Sequence, residues 1–278
     1  MSSDERNPRN HGDDTQLRLA VLIDADNAQA KVIEGLLAEV ARLGEATVRR
    51  IYGDFTSSAN SSWKKVLQRH AIKPVQQFAY STGKNSTDST LIIDAMDLLY
   101  TRNFDGFCLV TSDSDFTGLA LRLREEGLRV FGFGEQKTPE AFRNACHRFV
   151  FIEVLRPGKG EQSKAKTQPQ PAKKAVTAQQ PKTAAKQQGP TKSSDNAFPT
   201  EFMLDALEES ADDSGWANLG TFGSYLTKLQ PDFDSRLYGY RKLSDLVRAK
   251  PELFRTEERP TPGSSQRSLW LRAASDPA

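Results

Sequence analysis

The sequence predicts an α/β protein in which a parallel sheet flanked by helices is followed by a second, small winged helix-turn-helix domain. Three observations predict it. Residues 17–155 alternate short apolar runs with stretches whose apolar residues recur every three or four positions, the pattern of strand–helix–strand crossovers. Residues 156–197 are built from Lys, Gln, Ala, Pro and Thr, with Val176 the only large aliphatic side chain in GKGEQSKAKTQPQPAKKAVTAQQPKTAAKQQGPTKSSDN. Such a stretch buries too little apolar surface to offset the entropy of ordering it, so it reads as a disordered, positively charged linker. Residues 198–273 return to helical periodicity and end in SLWLR, a candidate strand. Residues 1–16 and 274–278 read as tails.

The elements of the first domain follow in order. LRLAVLI (17–23) is an apolar run ending at Asp24, and Val32, Leu36, Leu37, Val40 and Leu43 then mark a helix closed by Gly44. TVRRIYG (47–53) reads as a strand, SSWKKVLQRH (61–70) as a helix capped by Asn60, and IKPVQQFAY (72–80) as extended. STLIIDAMDLLYT (89–101) is helical, GFCLVT (106–111) a buried strand, and FTGLALRLREEG (116–127) a helix ended by Gly127. LRVFGFG (128–134) is a strand, PEAFRNACH (139–147) a short helix with proline near its start, and RFVFIEVL (148–155) a last strand.

Composition narrows the function. The 278 residues carry 38 Lys and Arg against 36 Asp and Glu, a net charge of +2, which excludes a uniformly basic coat but not a local basic patch. Two cysteines, Cys108 and Cys146, cannot make a disulfide framework or a zinc site alone. No apolar run approaches the roughly 20 residues of a membrane span, and MSSDERNPRNHGDDTQ has no apolar core to serve as a signal peptide. The expected setting is the cytoplasm.

Four carboxylates fall where parallel sheets bind ligands, at the carboxyl ends of strands. Asp24 ends the first strand in LIDADN, Asp113 and Asp115 follow the central strand in LVTSDSDF, and Asp88 opens a helix after the loop STGKNST. A carboxylate just beyond a buried strand is costly unless paired, hydrogen-bonded or metal-bound. Several at one sheet edge repel one another without a cation between them. Oxygen ligands without His or Cys favour Mg²⁺ or Mn²⁺ over zinc, and such ions turn water into a nucleophile toward a phosphodiester. The plainer alternative is helix capping, open to Asp88 and Asp115; Asp24 precedes its helix by several residues and has no such task. Asn27 suits a metal-bound water, a scissile phosphate or a cap equally. Lys84 lies on the loop before Asp88, within reach of a phosphate oxygen.

LIDADN, GKNSTDSTLIIDAMDLL and DGFCLVTSDSDFTGLALRLREEGLRVFGFG, in that order and spacing, resemble the NYN domain, the LabA-like (DUF88) branch of the PIN-like ribonucleases, over essentially all of residues 17–155. The resemblance implies a Mg²⁺- or Mn²⁺-dependent RNA hydrolase, an endoribonuclease, on a PIN-like fold. It assigns Asp24, Asp88, Asp113 and Asp115 to the metal site, Asn27 to the polar partner of the first aspartate, and Asp94 to a supporting position, with Thr111 and Ser112 orienting the ligands. LIDAD also fits the opening of haloacid-dehalogenase-type phosphatases, in which Asp26 would be essential as acid/base; the later motif TSDSD departs from that family's pattern.

In the second domain, Phe202, Met203 and Leu207, then Leu219, Phe222, Leu226 and Leu229, then Leu243, Leu246 and Val247 mark three helices before the closing strand. GWANLGTFGSYLTKLQPDFDSRLYGYRKLSDLVRAKPELF resembles the OST-HTH, or LOTUS, domain, which implies RNA binding or docking of a protein partner. Arg236, Tyr238, Tyr240, Arg241 and Lys242 mix cations with aromatics, as phosphate contact and base stacking require; the tyrosines serve equally well as core. Two functions therefore stand: a metal-dependent ribonuclease with an RNA-binding module on an independently moving tether, or a catalytically silent adaptor for RNA or protein.

Overall fold

The computed structural model describes residues 16–56, 60, 62–78, 86–156, 198–260 and 267–274. The expected linker from 157 to 197, the loop carrying Lys84, and almost all of both tails lie outside the described residues. Among the described residues no helix is long and apolar enough to cross a membrane.

Six strands form the first domain: β1 (Arg18–Asp24), β2 (Glu45–Gly53), β3 (Lys73–Gln76), β4 (Gly106–Val110), β5 (Arg129–Gly134) and β6 (Arg148–Phe151). Every neighbouring pair is parallel, in the order β3-β2-β1-β4-β5-β6. The order reverses between β1 and β4, the place where parallel α/β sheets open a crevice for ligands. β1 and β4 are apolar almost without interruption because helices cover both of their faces. Alternate residues serve opposite sides: Leu22, Phe107 and Leu109 pack with α3 (Ser86–Tyr100) and α4 (Thr117–Glu125), through Leu91, Ala95 and Leu123. Val21, Ile23, Cys108 and Val110 pack with α1 (Ile33–Leu43) and α2 (Trp63–Arg69), through Leu36, Val40 and Trp63. The short α5 (Glu140–Ala145) precedes β6, with Pro139 at its N-cap.

Three local expectations are refined. Gly44 does end α1, but its backbone is extended; glycine is needed because a Cβ there would stand 2.3 Å from the Leu17 carbonyl oxygen. Gly127 turns the chain with φ of +78° after α4, as a glycine at a helix end does. Asn60 does not cap α2: its amide donates to the Asp54 carbonyl at 3.0 Å, and Ser62 occupies the N-cap.

The second domain comprises α6 (Thr200–Ser210), β7 (Ala217–Asn218), α7 (Leu219–Leu229), α8 (Leu243–Arg248), β8 (Phe254–Pro260) and β9 (Arg267–Ala273). Its antiparallel sheet runs β7-β9-β8. Met203, Leu207, Phe222, Leu226, Leu246 and Leu271 form its core. The three helices and a terminal strand match expectation, and β7 and β8 are additions. FRTEERP buries only Phe254, so it lacks the alternation that announces a strand.

The two domains, expected to be independent, touch. The Phe149 amide donates to the Pro231 carbonyl at 2.8 Å, Arg143 pairs with Asp232, and Leu237 packs on the first domain's core. Glu39, on α1, is buried, and a buried carboxylate needs partners. Arg42 at 3.0 Å, Arg148 at 3.3 Å and Arg236 of the second domain at 3.0 Å supply them. We expect Glu39→Ala to lower stability by about 1–3 kcal/mol by removing the acceptor that Arg42, Arg148 and Arg236 share, leaving Arg236 with Asp234 alone, and to separate the unfolding transitions of the two domains in urea denaturation.

Candidate active site

Asp24 is the last residue of the central strand and is fully buried. The chain turns at once: the Ala25 amide still bonds across the sheet to the Tyr52 carbonyl, and the Ala28 amide returns to the Asp24 carbonyl, both at 2.9 Å. This turn aims two donors at the carboxylate, and the end of β4 adds a third. The Asp26 amide reaches Oδ1 at 3.0 Å, while Asn27 Nδ2 and Thr111 Oγ reach Oδ2 at 2.7 and 2.9 Å. Burial raises the Asp24 pKa above its usual range, and the bonds from Asn27 and Thr111 oppose that rise.

Thr111 ties the neighbouring strand end to the same point. Its amide pairs with the Phe133 carbonyl at 2.9 Å, and its hydroxyl also accepts from the Asp113 amide at 3.2 Å. Ser112, also buried, accepts from the Glu135 amide at 2.9 Å and so links the ends of β4 and β5. Asp113 caps the 3-10 turn 114–116, its Oδ1 accepting from the Asp115 amide at 2.9 Å. The capping alternative therefore falls to Asp113, and Asp115 lies within the turn it caps.

Asp88 sits in the first turn of α3, which packs on β1 and β2. Its pKa is pushed up to about 6, first by burial and then by the charges of Asp24, Asp113, Asp115 and Asp26. The charges of Asp24, Asp113 and Asp115 are thus felt at Asp88. Asp26, set aside in the NYN reading of the sequence, belongs to the same negative field.

Asp94 goes elsewhere. Its carboxylate is held by the Arg50 guanidinium and the Tyr52 hydroxyl of β2, which places it as a brace between α3 and the sheet. That contact and burial drive the Tyr52 phenol upward, burial being the larger cause. In the second domain, Arg236 is spent on Asp234 and Glu39. Tyr238 lies half-buried against Phe198 and Phe233, and Tyr240 joins the same core. Arg241 and Lys242 remain exposed. Sequence reasoning missed Glu39, whose place within an amphipathic helix gave no sign of burial. It also missed a cavity of about 450 Å³ beside Asp26, lined by Gln29, Lys31, Asn60 and Trp63.

The donor set suits a hard divalent cation: carboxylate oxygens, no imidazole or thiolate, and an Asp88 carboxyl raised first by burial and then by the neighbouring acids. Among the described residues no three His, Cys, Asp or Glu side chains close into a ready-made cage. Mg²⁺ does not require one, since it keeps several waters and commonly takes one or two carboxylates.

A parallel sheet with an acidic crevice at its switch point defines a PIN-like α/β domain. The chain carries an NYN domain, matched over residues 18–153, and an OST-HTH/LOTUS domain, matched over residues 197–266. NYN domains belong to a nuclease superfamily whose PIN-like members generally use divalent metal ions, and OST-HTH/LOTUS domains bind RNA. The chain is 56% identical to an uncharacterized protein of Nitrosomonas europaea solved by solution NMR (34% of this chain and 96% of that one, TM-score 0.28). It is 34% identical to a protein of Chromobacterium violaceum solved by solution NMR as residues 175–257 (30% and 87%, TM-score 0.24). A crystal structure of a protein of unknown function from Vibrio parahaemolyticus is 17% identical (50% and 95%, TM-score 0.43). No curated protein matches the chain.

The two kinds of aspartate are separable by thermal unfolding. In EDTA, Asp88→Asn is expected to raise the melting midpoint by relieving like-charge repulsion, whereas Asp94→Asn is expected to cost about 1–2 kcal/mol by weakening a partly buried pair. Added Mg²⁺ or Mn²⁺ is expected to raise the wild-type midpoint and to leave that of Asp88→Asn nearly unchanged.

Proposed function

We propose that the protein is a divalent-metal-dependent endoribonuclease of the cytoplasm whose NYN domain hydrolyses phosphodiester bonds of RNA brought by its LOTUS domain. The observation that supports this reading is that Thr111, at the end of β4, bonds both the Asp24 carboxylate and the Asp113 amide, while Asp88 opens the helix packed on β1, so acids from three elements stand near one sheet edge. A chain that only bound RNA would gain nothing from a field that repels phosphate.

Within this reading Asp24, Asp88, Asp113 and Asp115 hold Mg²⁺ or Mn²⁺. The bound ion supplies a water acidified for attack and neutralises charge on the phosphate. Asn27 and Thr111 oppose the upward pull of burial on the Asp24 carboxylate and fix its direction by donating to Oδ2. Thr111 also spaces Asp113 from Asp24, and Ser112 holds the β4–β5 edge. Asp94 acts indirectly, anchoring the helix that carries Asp88. Lys31, in the adjoining cavity, is placed to meet a flanking phosphate, a role shared with Lys84 in the sequence reading. The two cysteines are free and buried, in keeping with a reducing compartment.

One observation favours the second reading, an adaptor with a silent NYN domain: the carboxylates do not form a closed cage among the described residues. Cleavage of end-labelled RNA with Mn²⁺, Mg²⁺ or EDTA decides between them. Asp24→Asn and Asp113→Asn are each expected to lower cleavage at least about 100-fold, a transition-state loss of about 2.7 kcal/mol or more, with RNA binding retained. Asp26→Asn is expected to keep activity within about 10-fold; its abolition would instead favour the phosphatase-type use of LIDAD. Metal-independent or undiminished cutting by Asp113→Asn would overturn the nuclease site, and RNA bound but never cut by the wild type would establish the adaptor.

A further inference from the structure

One cavity is remote from the carboxylates. It measures about 930 Å³ and lies in the seam between the domains, with walls from both. Arg124, Arg129 and His147 line it from the first domain, and Lys228 and Lys242 from the second. No carboxylate lines it, and none of the four Arg and Lys side chains forms a salt bridge with a carboxylate among the described residues. In a chain of net charge +2, a cleft with four cations and no anion is a strong local concentration of positive charge.

Local bonding holds the cleft open. Arg124 is fixed by two bonds from its guanidinium to the Asn144 and Ala145 carbonyls, both at 3.1 Å, which orient the group without neutralising it. His147 accepts the Val130 amide at its Nδ1, 3.1 Å away, and its pKa is lowered by burial and by the charges of Arg124 and Arg129. Gly220 and Gly223 expose backbone on the facing wall, where Ser224 and Thr227 add hydroxyls. A second cavity of about 310 Å³ shares Gly223, Thr227, Lys242 and Leu243 with the first and adds the exposed Arg241, while its Arg42, Arg148 and Arg236 are paired with Glu39. The acids of that second cavity, Glu39 and Asp234, are already engaged by Arg236.

We propose that this interdomain groove binds the phosphate backbone of single-stranded RNA, gripping the substrate with residues of both domains at the sheet end opposite the carboxylates. RNA as the occupant rests on the ribonuclease reading. The chemistry that selects it is a row of guanidinium and ammonium groups, with no carboxylate among them, along a groove to which the exposed Ser224 adds a hydroxyl. Arg129 opens β5 whereas the carboxylates lie beyond the opposite strand ends, so anchor and crevice are separated by roughly 15–20 Å, the length of a six-residue strand. Docking through Glu39 and Arg236 fixes that spacing. RNA must then span several nucleotides to occupy both places, and the groove acts as a length gauge.

The test is fluorescence anisotropy of a labelled single-stranded oligonucleotide bound to the full chain in EDTA, titrated with salt. The variants are Arg129→Gln/Lys242→Gln and, because charge removal alone is mild, Ser224→Glu at an exposed position. Lys64→Gln/Lys65→Gln on α2 is the control. Loss of two phosphate contacts is expected to lower the slope of log affinity against log salt by about 1.4 and to weaken binding about 10-fold or more near 0.1 M salt. Ser224→Glu is expected to weaken binding comparably, and the control to leave it unchanged. Unchanged affinity and slope in both groove variants overturn the proposal, as does a wild type that binds no RNA or that binds a polyglutamate peptide more tightly. A wild type that never cuts RNA but loses binding in the groove variants removes the nuclease reading and leaves the groove standing.

Discussion

A carboxylate buried at the end of a central parallel strand is an expensive arrangement, and much of the first domain answers to it. Asp24 has no exposed surface, and its pKa is raised by that burial. The turn after β1, the Asn27 amide and the Thr111 hydroxyl of the neighbouring strand end all serve its two oxygens. These bonds tie β1 to β4 at the point where strand order reverses, so the support of one charge also sets the geometry of the crevice. Asp113 and Asp115 arrive on the turn that begins at Thr111, and Asp88 on a helix packed over β1.

The same rule acts a second time at the far end of the molecule. Glu39 is buried in α1, and its partners come from the same helix, from β6 and from the second domain. Meeting that charge recruits Arg236 across the interface and turns two domains on a linker into one docked body. The result places an acid-rich crevice and a cation-rich groove at opposite sheet ends. In the proposed reading a nucleic acid would be drawn to one by counterion release and repelled by the other unless a cation were present. The separation of the two charged regions follows from where two buried carboxylates found partners.

Much of this was legible in the chain. The apolar runs before Asp24 and Asp113 marked buried parallel strands because both of their faces are covered, and the alternation with helical periods gave the layer order. The carboxylates at the strand ends were visible as acids where a strand should stop. What escaped was of two kinds. β8 exposes nearly all its residues and has no pattern to read. Asp94, Arg236 and Tyr238 had plausible chemistry in the sequence and proved to be engaged in packing and pairing.

By itself, then, the sequence determined the elements, their parallel arrangement, and which acids stand at the edge of the sheet, since these follow from local periodicity and from residues adjacent in the chain. Tertiary structure alone decided how each charge is used. Arg50 meets Asp94 across 44 positions and Arg236 meets Glu39 across 197, and no local pattern encodes either pairing. Burial makes an unpaired charge costly, so the folded chain assigns partners by proximity in space. That assignment separates the aspartates of the crevice from the one that braces a helix.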